Sequence, residues 1–150
     1  MSDSSELSAK PPLKYLSRIC IATLGFFGGG GRVDKDMYPV YQMSIGGRSD
    51  GETMLGVTVM RIPAKRVIPA TLKLIEVFKN NKKPGEDFKN WIHKVITGHA
   101  DSQVKSVNDI KQILLPFTET PSIEQDKDFY ADYGSDSSYH TRTGKGECAA

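Results

Sequence analysis

Apolar and polar residues alternate along the first part of the chain in a pattern that predicts three β-strands. Residues 19–27 form a short apolar run that stops at four glycines, residues 28–31, as expected for a buried strand. Residues 38–45 alternate between apolar and more polar side chains, which indicates one face in the core. Residues 54–62 are apolar on both faces, so we expect a central strand there. Short connections between the three strands predict an antiparallel meander.

The spacing of apolar residues becomes helical after the third strand. The first predicted helix has Pro69 in its first turn and ends near residues 79–81. Its expected core-facing side chains recur at spacings of four and three residues: Ile68, Leu72, Ile75 and Phe78, with Leu74 and Val77 widening the stripe.

Two shorter helices are predicted to follow. The second begins after Pro84-Gly85, with two acidic residues at its positive N-terminal end. Its expected buried face comprises Phe88, Ile92, Val95 and Ile96, with Trp91 at the margin. The third begins at Ser106, whose spacing from Asp109 resembles a capping box, and stops at Pro116. Its expected stripe comprises Val107, Ile110, Ile113 and Leu114.

These elements predict an α+β fold: a three-stranded, largely antiparallel meander followed by two to three packing helices and an extended C-terminal tail. We interpret residues 1–17 as a flexible leader, residues 18–117 as the folded segment and residues 118–150 as an acidic tail rich in Tyr, Gly and Ser. The tail offers four aromatic residues as anchors: Phe129, Tyr130, Tyr133 and Tyr139.

Charge is distributed unevenly along the chain. Residues 1–118 carry 17 Lys and Arg against 11 Asp and Glu, whereas residues 119–150 carry three against seven. The basic residues do not cluster with aromatic residues, so we expect a solvated basic face and no nucleic-acid partner. No apolar run reaches the roughly 18 residues of a membrane helix, and the N-terminus lacks the pattern of a secretory signal. We therefore expect a cytoplasmic protein without a membrane partner.

The glycine run at residues 28–31 follows a strand, as phosphate-binding loops do. Such a loop should open a helix whose N-terminus faces the anion, but residues 32–36 lead into another strand. A turn that needs positive φ explains the run better. Close approach of the backbone to a large group stays open as a third interpretation.

Other residues of chemical interest have no obvious partners. The carboxylate pairs Asp34/Asp36 and Asp126/Asp128 lie in polar segments, where solvated turns are expected. The three histidines, His93, His99 and His140, show no metal-binding spacing. Cys20 and Cys148 are far apart and form no CxxC pair. We expect a buried thiol at Cys20, and Cys148 near the end of the tail is the candidate exposed thiol.

Several segments, in order, resemble sirohaem-dependent nitrite and sulfite reductases. Residues 21–30 (IATLGFFGGG) resemble the "ADIGF-G" strand of that family, and residues 41–47 (YQMSIGG) resemble its "YQLLLGG". Residues 62–67 (IPAKRV) resemble its "IPAKRV", and residues 85–92 resemble its "GESF…FV". The closing residues 144–149 (GKGECA) look like a tail of some bacterial members. The resemblance covers roughly residues 19–97 together with this tail.

The resemblance implies the C-terminal part of the 4Fe–4S domain, which has three consecutive strands followed by helices. Family members perform the six-electron reduction of sulfite or nitrite with sirohaem and a 4Fe–4S cluster, using ferredoxin or NAD(P)H as donor. Four cysteines in two pairs bind the cluster, and the second pair, in a "GCPNSC" motif, should closely precede the first strand. Residues 12–17 (PLKYLS) stand there instead. No catalytic, cofactor-binding or metal-binding residue carries over, so we expect this chain alone to bind no cofactor.

Three hypotheses follow. The chain is the C-terminal part of such a reductase and packs against a cofactor-bearing portion or subunit, which predicts an apolar surface left open for docking. Alternatively, it is a diverged, non-catalytic protein-interaction module with a closed core and a polar surface. As a third hypothesis, it is an unrelated enzyme, which would need a polar pocket with perturbed titratable groups.

Overall fold

A computed structural model describes residues 21–141 of the chain. It contains a three-stranded antiparallel sheet in the order β1-β2-β3, formed by Leu24–Val33, Asp36–Ile45 and Val57–Pro63. Three α-helices follow: α1 (Val67–Asn81), α2 (Phe88–Thr97) and α3 (Val107–Leu114). The predicted α+β fold, a meander followed by helices, is confirmed.

The first strand differs from its prediction because the glycines lie inside it. β1 begins at Leu24 rather than residue 19 and runs through Gly28, Gly29, Gly30 and Gly31 to Val33. The positive-φ turn expected at these glycines is therefore wrong; the two-residue hairpin turn follows Val33, and its Asp34 has φ 52°.

Neighbouring side chains explain how a glycine run fits into a strand. A Cβ on Gly31 would lie 2.7 Å from Tyr38 Cε2, and one on Gly30 would lie 2.8 Å from Thr141 Cγ2. The glycines therefore make room for side chains that lie directly on the backbone, as aromatic rings do over strand glycines elsewhere. The third interpretation, close approach of the backbone to a large group, describes this strand best. The approaching groups are side chains of the same protein, those of Tyr38 and Thr141.

The prediction that the third strand is central is wrong, since β2 occupies the centre and β3 lies at an edge. A β-bulge between β2 and β3 explains the misleading pattern. Met43 pairs with Met60 and Ser44 with Thr58, which leaves Val59 as the extra residue. Val59 and Ile62 are both buried although they lie three residues apart. The segment is apolar on both faces because of the bulge, and not because other elements pack on both of its sides.

Helices α1, α2 and α3 cover one face of the sheet. The core joins buried side chains of the sheet and the helices: Met43, Ile45, Val59, Ile62, Ala70, Leu74, Val77, Trp91, Ile92, Val95, Val104, Ile110 and Leu114. Burying these side chains supplies the main driving force for the fold.

The predicted core face of α1 is wrong for three of its four main positions. Ile68, Leu72 and Ile75 are exposed, at 74%, 60% and 39%. Leu74 and Val77, which were predicted to widen the stripe, are buried, and Ala70 is buried with them. Phe78 is half-buried against the rings of Phe88 and Trp91. The helix carries apolar residues on two sides, and spacing alone does not say which side faces the sheet.

Helix α2 is held close to the end of β2. Gly46 has φ 81°, and the side chain of Ile96 occupies the space where a Cβ would lie. Ile92 and Val95 are buried as predicted. Trp91 is wrongly placed at the margin by the sequence pattern, because only 2% of it is exposed.

Helix α3 confirms its predicted start. Ser106 Oγ accepts a hydrogen bond from the backbone N–H of Asp109 at 3.3 Å, and Asp109 Oδ2 accepts one from the N–H of Ser106 at 3.0 Å. The backbone N–H of Lys105 also donates to Asp109 Oδ2 and has the largest effect on the Asp109 carboxyl, whose pKa it lowers. The hydrogen bonds with Ser106 act in the same direction. Ile110 and Leu114 are buried, and a 3₁₀ turn at Leu115–Thr118 follows.

The segment after this turn packs back on the hairpin. Phe129 and Tyr130, in the 3₁₀ turn Asp128–Tyr130, are buried and confirm two of the predicted anchors. Tyr139 donates a hydrogen bond from its hydroxyl to the carbonyl of Gly29 at 3.3 Å. Tyr133 is 95% exposed and is no anchor. Cys20, Cys148, the predicted leader and the closing residues 142–150 lie outside the described residues.

Candidate docking surface

The face of the sheet opposite the helices is organised in rows across the strands. Antiparallel pairing places Phe27 opposite Gln42, and Gln42 opposite Arg61. Directly paired residues point to the same face, so these three side chains form one row. Ser44 and Thr58 form the next row on one side, and Val40 and Pro63 lie in the row on the other side.

The segment that follows the 3₁₀ turn, residues 119–141, covers part of this face, and we call it the C-terminal segment. The ring of Tyr38 lies 5.3 Å from that of Phe129 and 5.9 Å from that of Tyr130, between ring centroids. Tyr130 also donates a hydrogen bond to the carbonyl of Pro121 at 2.6 Å, and burial raises the pKa of its hydroxyl. Val40 is buried beside this cluster. The part of the sheet nearest the hairpin turn is therefore closed.

The remaining part is open to solvent, and we call it the open half-sheet; it comprises Phe27, Ser44, Gln42, Thr58 and Arg61. Phe27 is 53% exposed, and Gln42, Thr58 and Arg61 are exposed as well. A shallow groove of about 190 Å³ runs along the row between Phe27 and Arg61, over the backbone of Gly28 and Gly29. Aromatic residues and Arg are enriched in protein interfaces relative to the rest of the protein surface.

Hydrogen bonds fix the polar residues of the open half-sheet. Arg61 donates from Nη2 to the carbonyl of Gly30 at 2.6 Å, and Gln42 donates from Nε2 to Thr58 Oγ1 at 3.3 Å. No carboxylate among residues 21–141 forms a salt bridge with Arg61. The guanidinium is thus held in place while its charge stays available to an acceptor on a partner.

A second feature is a cavity of about 350 Å³, which lies between the C-terminal end of α1, helix α2 and residues 100–103. Lys94 pairs with Glu86, whose side chain is 7% exposed, and Lys83 pairs with Asp101 at 2.8 Å. The pairing with Lys94, aided by the backbone N–H of Lys83, lowers the pKa of Glu86, and Lys83 lowers that of Asp101. The lowered pKa values keep the carboxylates of Glu86 and Asp101 ionised near neutral pH, as expected for structural ion pairs and not for a general acid.

Two ring nitrogens on α2 are buried without a hydrogen-bond partner in the described part of the chain: Trp91 Nε1 and His93 Nδ1. His93 is half-buried. His99 Nδ1 lies 3.0 Å from Thr97 Oγ1, and His140 is exposed. The structure brings none of these histidines together.

Within residues 21–141, no three His, Cys, Asp or Glu side chains converge in a group that could hold a metal ion. Residues 21–141 contain no cysteine, the usual ligand of an iron–sulfur cluster. Of the predicted carboxylate pairs, Asp34 lies in the hairpin turn, and Asp128 pairs with Lys65 at 2.8 Å. None of the helices described here has the length and apolar character needed to span a bilayer.

Sequence reasoning missed Phe27 and Arg61 as site residues. A signal was present, because Arg61 is a charged residue inside a strand that is mostly apolar. Its alignment with Phe27 depends on the pairing register, which the strand pattern alone did not provide.

Comparisons with known proteins add no relative to this picture. Neither a family model, nor a curated protein, nor a solved structure matches the chain.

Proposed function

We propose that this chain is the C-terminal segment of a sirohaem-dependent nitrite or sulfite reductase and supports the cofactor-bearing portion by packing against it. The resemblance of residues 21–30, 41–47, 62–67 and 85–92 to that family supports the proposal. The order of three antiparallel strands followed by helices agrees with the arrangement that the resemblance implies. A cytoplasmic location and the absence of nucleic-acid and membrane partners belong to the same proposal.

The observation that carries the proposal is the open half-sheet. An isolated interaction module with a closed core and a polar surface would not need a Phe ring that is 53% exposed on the same sheet face as Arg61, which forms no salt bridge with a carboxylate of residues 21–141. A docking segment would need such a surface, because the ring of Phe27 can fill a pocket on the partner and Arg61 can donate to a carbonyl or carboxylate. This favours the docking segment over the stand-alone module. The cavity near Glu86 does not favour an independent enzyme.

In the proposed assembly, sirohaem and the 4Fe–4S cluster are held by the partner portion and supply the electron transfer to sulfite or nitrite. The residues of this chain contribute contacts at the protein interface. Phe27 excludes water at its centre, and the smooth backbone of Gly28 and Gly29 lets the partner approach closely.

A binding measurement tests the proposal. A reductase of this family from which the corresponding C-terminal segment has been deleted is titrated with the full-length chain by calorimetry. We expect binding, and we expect Phe27→Ser to weaken it by roughly tenfold or more, because truncating an anchor residue costs about 2 kcal/mol.

Tyr133→Ser is the matched control, since Tyr133 is 95% exposed and lies outside the open half-sheet. It should leave the affinity unchanged. Failure of the wild-type chain to bind, or equal losses in the two variants, would count against the proposed function.

A further inference from the structure

Helix α1 carries a second apolar surface that is separate from the open half-sheet. Ile68, Leu72 and Ile75 lie at spacings of four and three residues, so they share one face of the helix, and they are exposed. We call these three residues the α1 stripe. It spans about 10 Å along the axis. The opposite side of α1 is buried, so the stripe plays no part in the core.

Charged side chains lie at both ends of the α1 stripe. At the C-terminal end, Lys79 continues the stripe and forms no salt bridge with any carboxylate in residues 21–141. At the N-terminal end, Lys65 already pairs with Asp128, and the side chain of Asp128 is still 78% exposed. Asp126, which accepts a hydrogen bond from the N–H of Phe129, lies close by.

We infer that the α1 stripe binds a second copy of this chain in an antiparallel, two-fold symmetric helix pair. With Leu72 at the two-fold axis, Ile68 of one copy lies near Ile75 of the other. Lys65 and Lys79 are each seven residues from Leu72, so Lys79 of the second copy lies beside Lys65 and Asp128 of the first. Asp128 then bridges the two lysines, and the symmetry repeats this contact at the other end.

The charges of longer segments favour the same occupant. Residues 65–83, which contain α1, carry six Lys and Arg against one Glu. Residues 119–141, which contain Asp126 and Asp128, carry one Lys against six Asp and Glu. The antiparallel pair sets Lys79 of each α1 against Asp128, in the acidic segment of the other copy. Each copy thus supplies the lysine of one intermolecular ion pair and the carboxylate of the other.

Sedimentation equilibrium of the full-length chain over a wide concentration range tests this inference. We expect a reversible equilibrium between monomer and dimer. Leu72→Ser should weaken the dimer by about tenfold or more, because it removes the apolar centre. Lys79→Glu and Asp128→Lys should each weaken it by about fivefold or more, and the double reversal should restore most of the affinity.

Leu55→Ser is the matched control, since Leu55 is 69% exposed and precedes β3, away from α1. It should leave the dimer intact. Circular dichroism and thermal unfolding check that each variant is folded. A monomer at all concentrations, a dimer insensitive to Leu72→Ser, or a double reversal that is no better than the single ones would overturn the inference. Phe27, through which the truncated reductase is proposed to bind, lies on a different surface. The outcome of that binding measurement is therefore independent of this one.

Discussion

Gly30 and Gly31 lie between side chains on opposite sides of β1. The space beyond Gly31 is filled by the ring of Tyr38, and the space beyond Gly30 by Met37, Tyr139 and Thr141. Consecutive strand residues face opposite ways, so the hairpin is covered on both sides at this point. The sequence pattern identified the run as special but could not reveal its neighbours, because Tyr139 and Thr141 are more than a hundred residues away.

At Gly31, substitution by Ala should destabilise the protein by about 1–3 kcal/mol, because the added methyl group displaces the ring of Tyr38. That ring cannot simply swing away, since it packs against Phe129 and Tyr130. Gly28→Ala is the matched control, because the nearest atom to its Cβ, on Tyr41, is 3.6 Å away. Urea unfolding measures both free energies, and an equal effect at the two positions would contradict this account of the strand.

At the scale of elements, the sequence predicted the type and order of all six strands and helices, and it predicted the start of α3 from two residues. The prediction failed where the burial of a residue depended on which other strand or helix its own element packs against. The bulge at Val59 made an edge strand resemble a central one, and the two apolar sides of α1 concealed which one faces the sheet. Both errors arise because tertiary contacts, and not local pattern, decide burial.

The capping box of α3 gives a prediction for a single element. Ser106→Ala should lower the free energy of unfolding by about 1 kcal/mol, because the N–H of Asp109 loses its acceptor. Asn108→Ala, at an exposed position in the same first turn, should cost less or nothing. Thermal unfolding compares the two variants. A loss at Asn108 as large as that at Ser106 would show that the cap does not stabilise the helix.

At the scale of the whole molecule, the helices close one face of the sheet, and the C-terminal segment closes part of the other. In residues 21–141, the exposed side chains include the row of Phe27, Gln42 and Arg61 and the α1 stripe. The first of the three hypotheses drawn from the sequence predicted an open apolar surface but did not locate it. Its position follows from the strand register and from the way the C-terminal segment folds back, which are both long-range features.

The central claim, that this chain supports a cofactor-bearing portion and does not itself hold the cofactors, is tested most directly by absorption spectroscopy. The full-length chain, purified alone after expression in cells that make sirohaem and iron–sulfur clusters, should show only the ultraviolet absorption of its aromatic side chains and peptide bonds, and no visible bands. After mixing with the truncated reductase, the visible bands should sediment with both polypeptides. Sirohaem or iron–sulfur bands on the isolated chain would contradict the account.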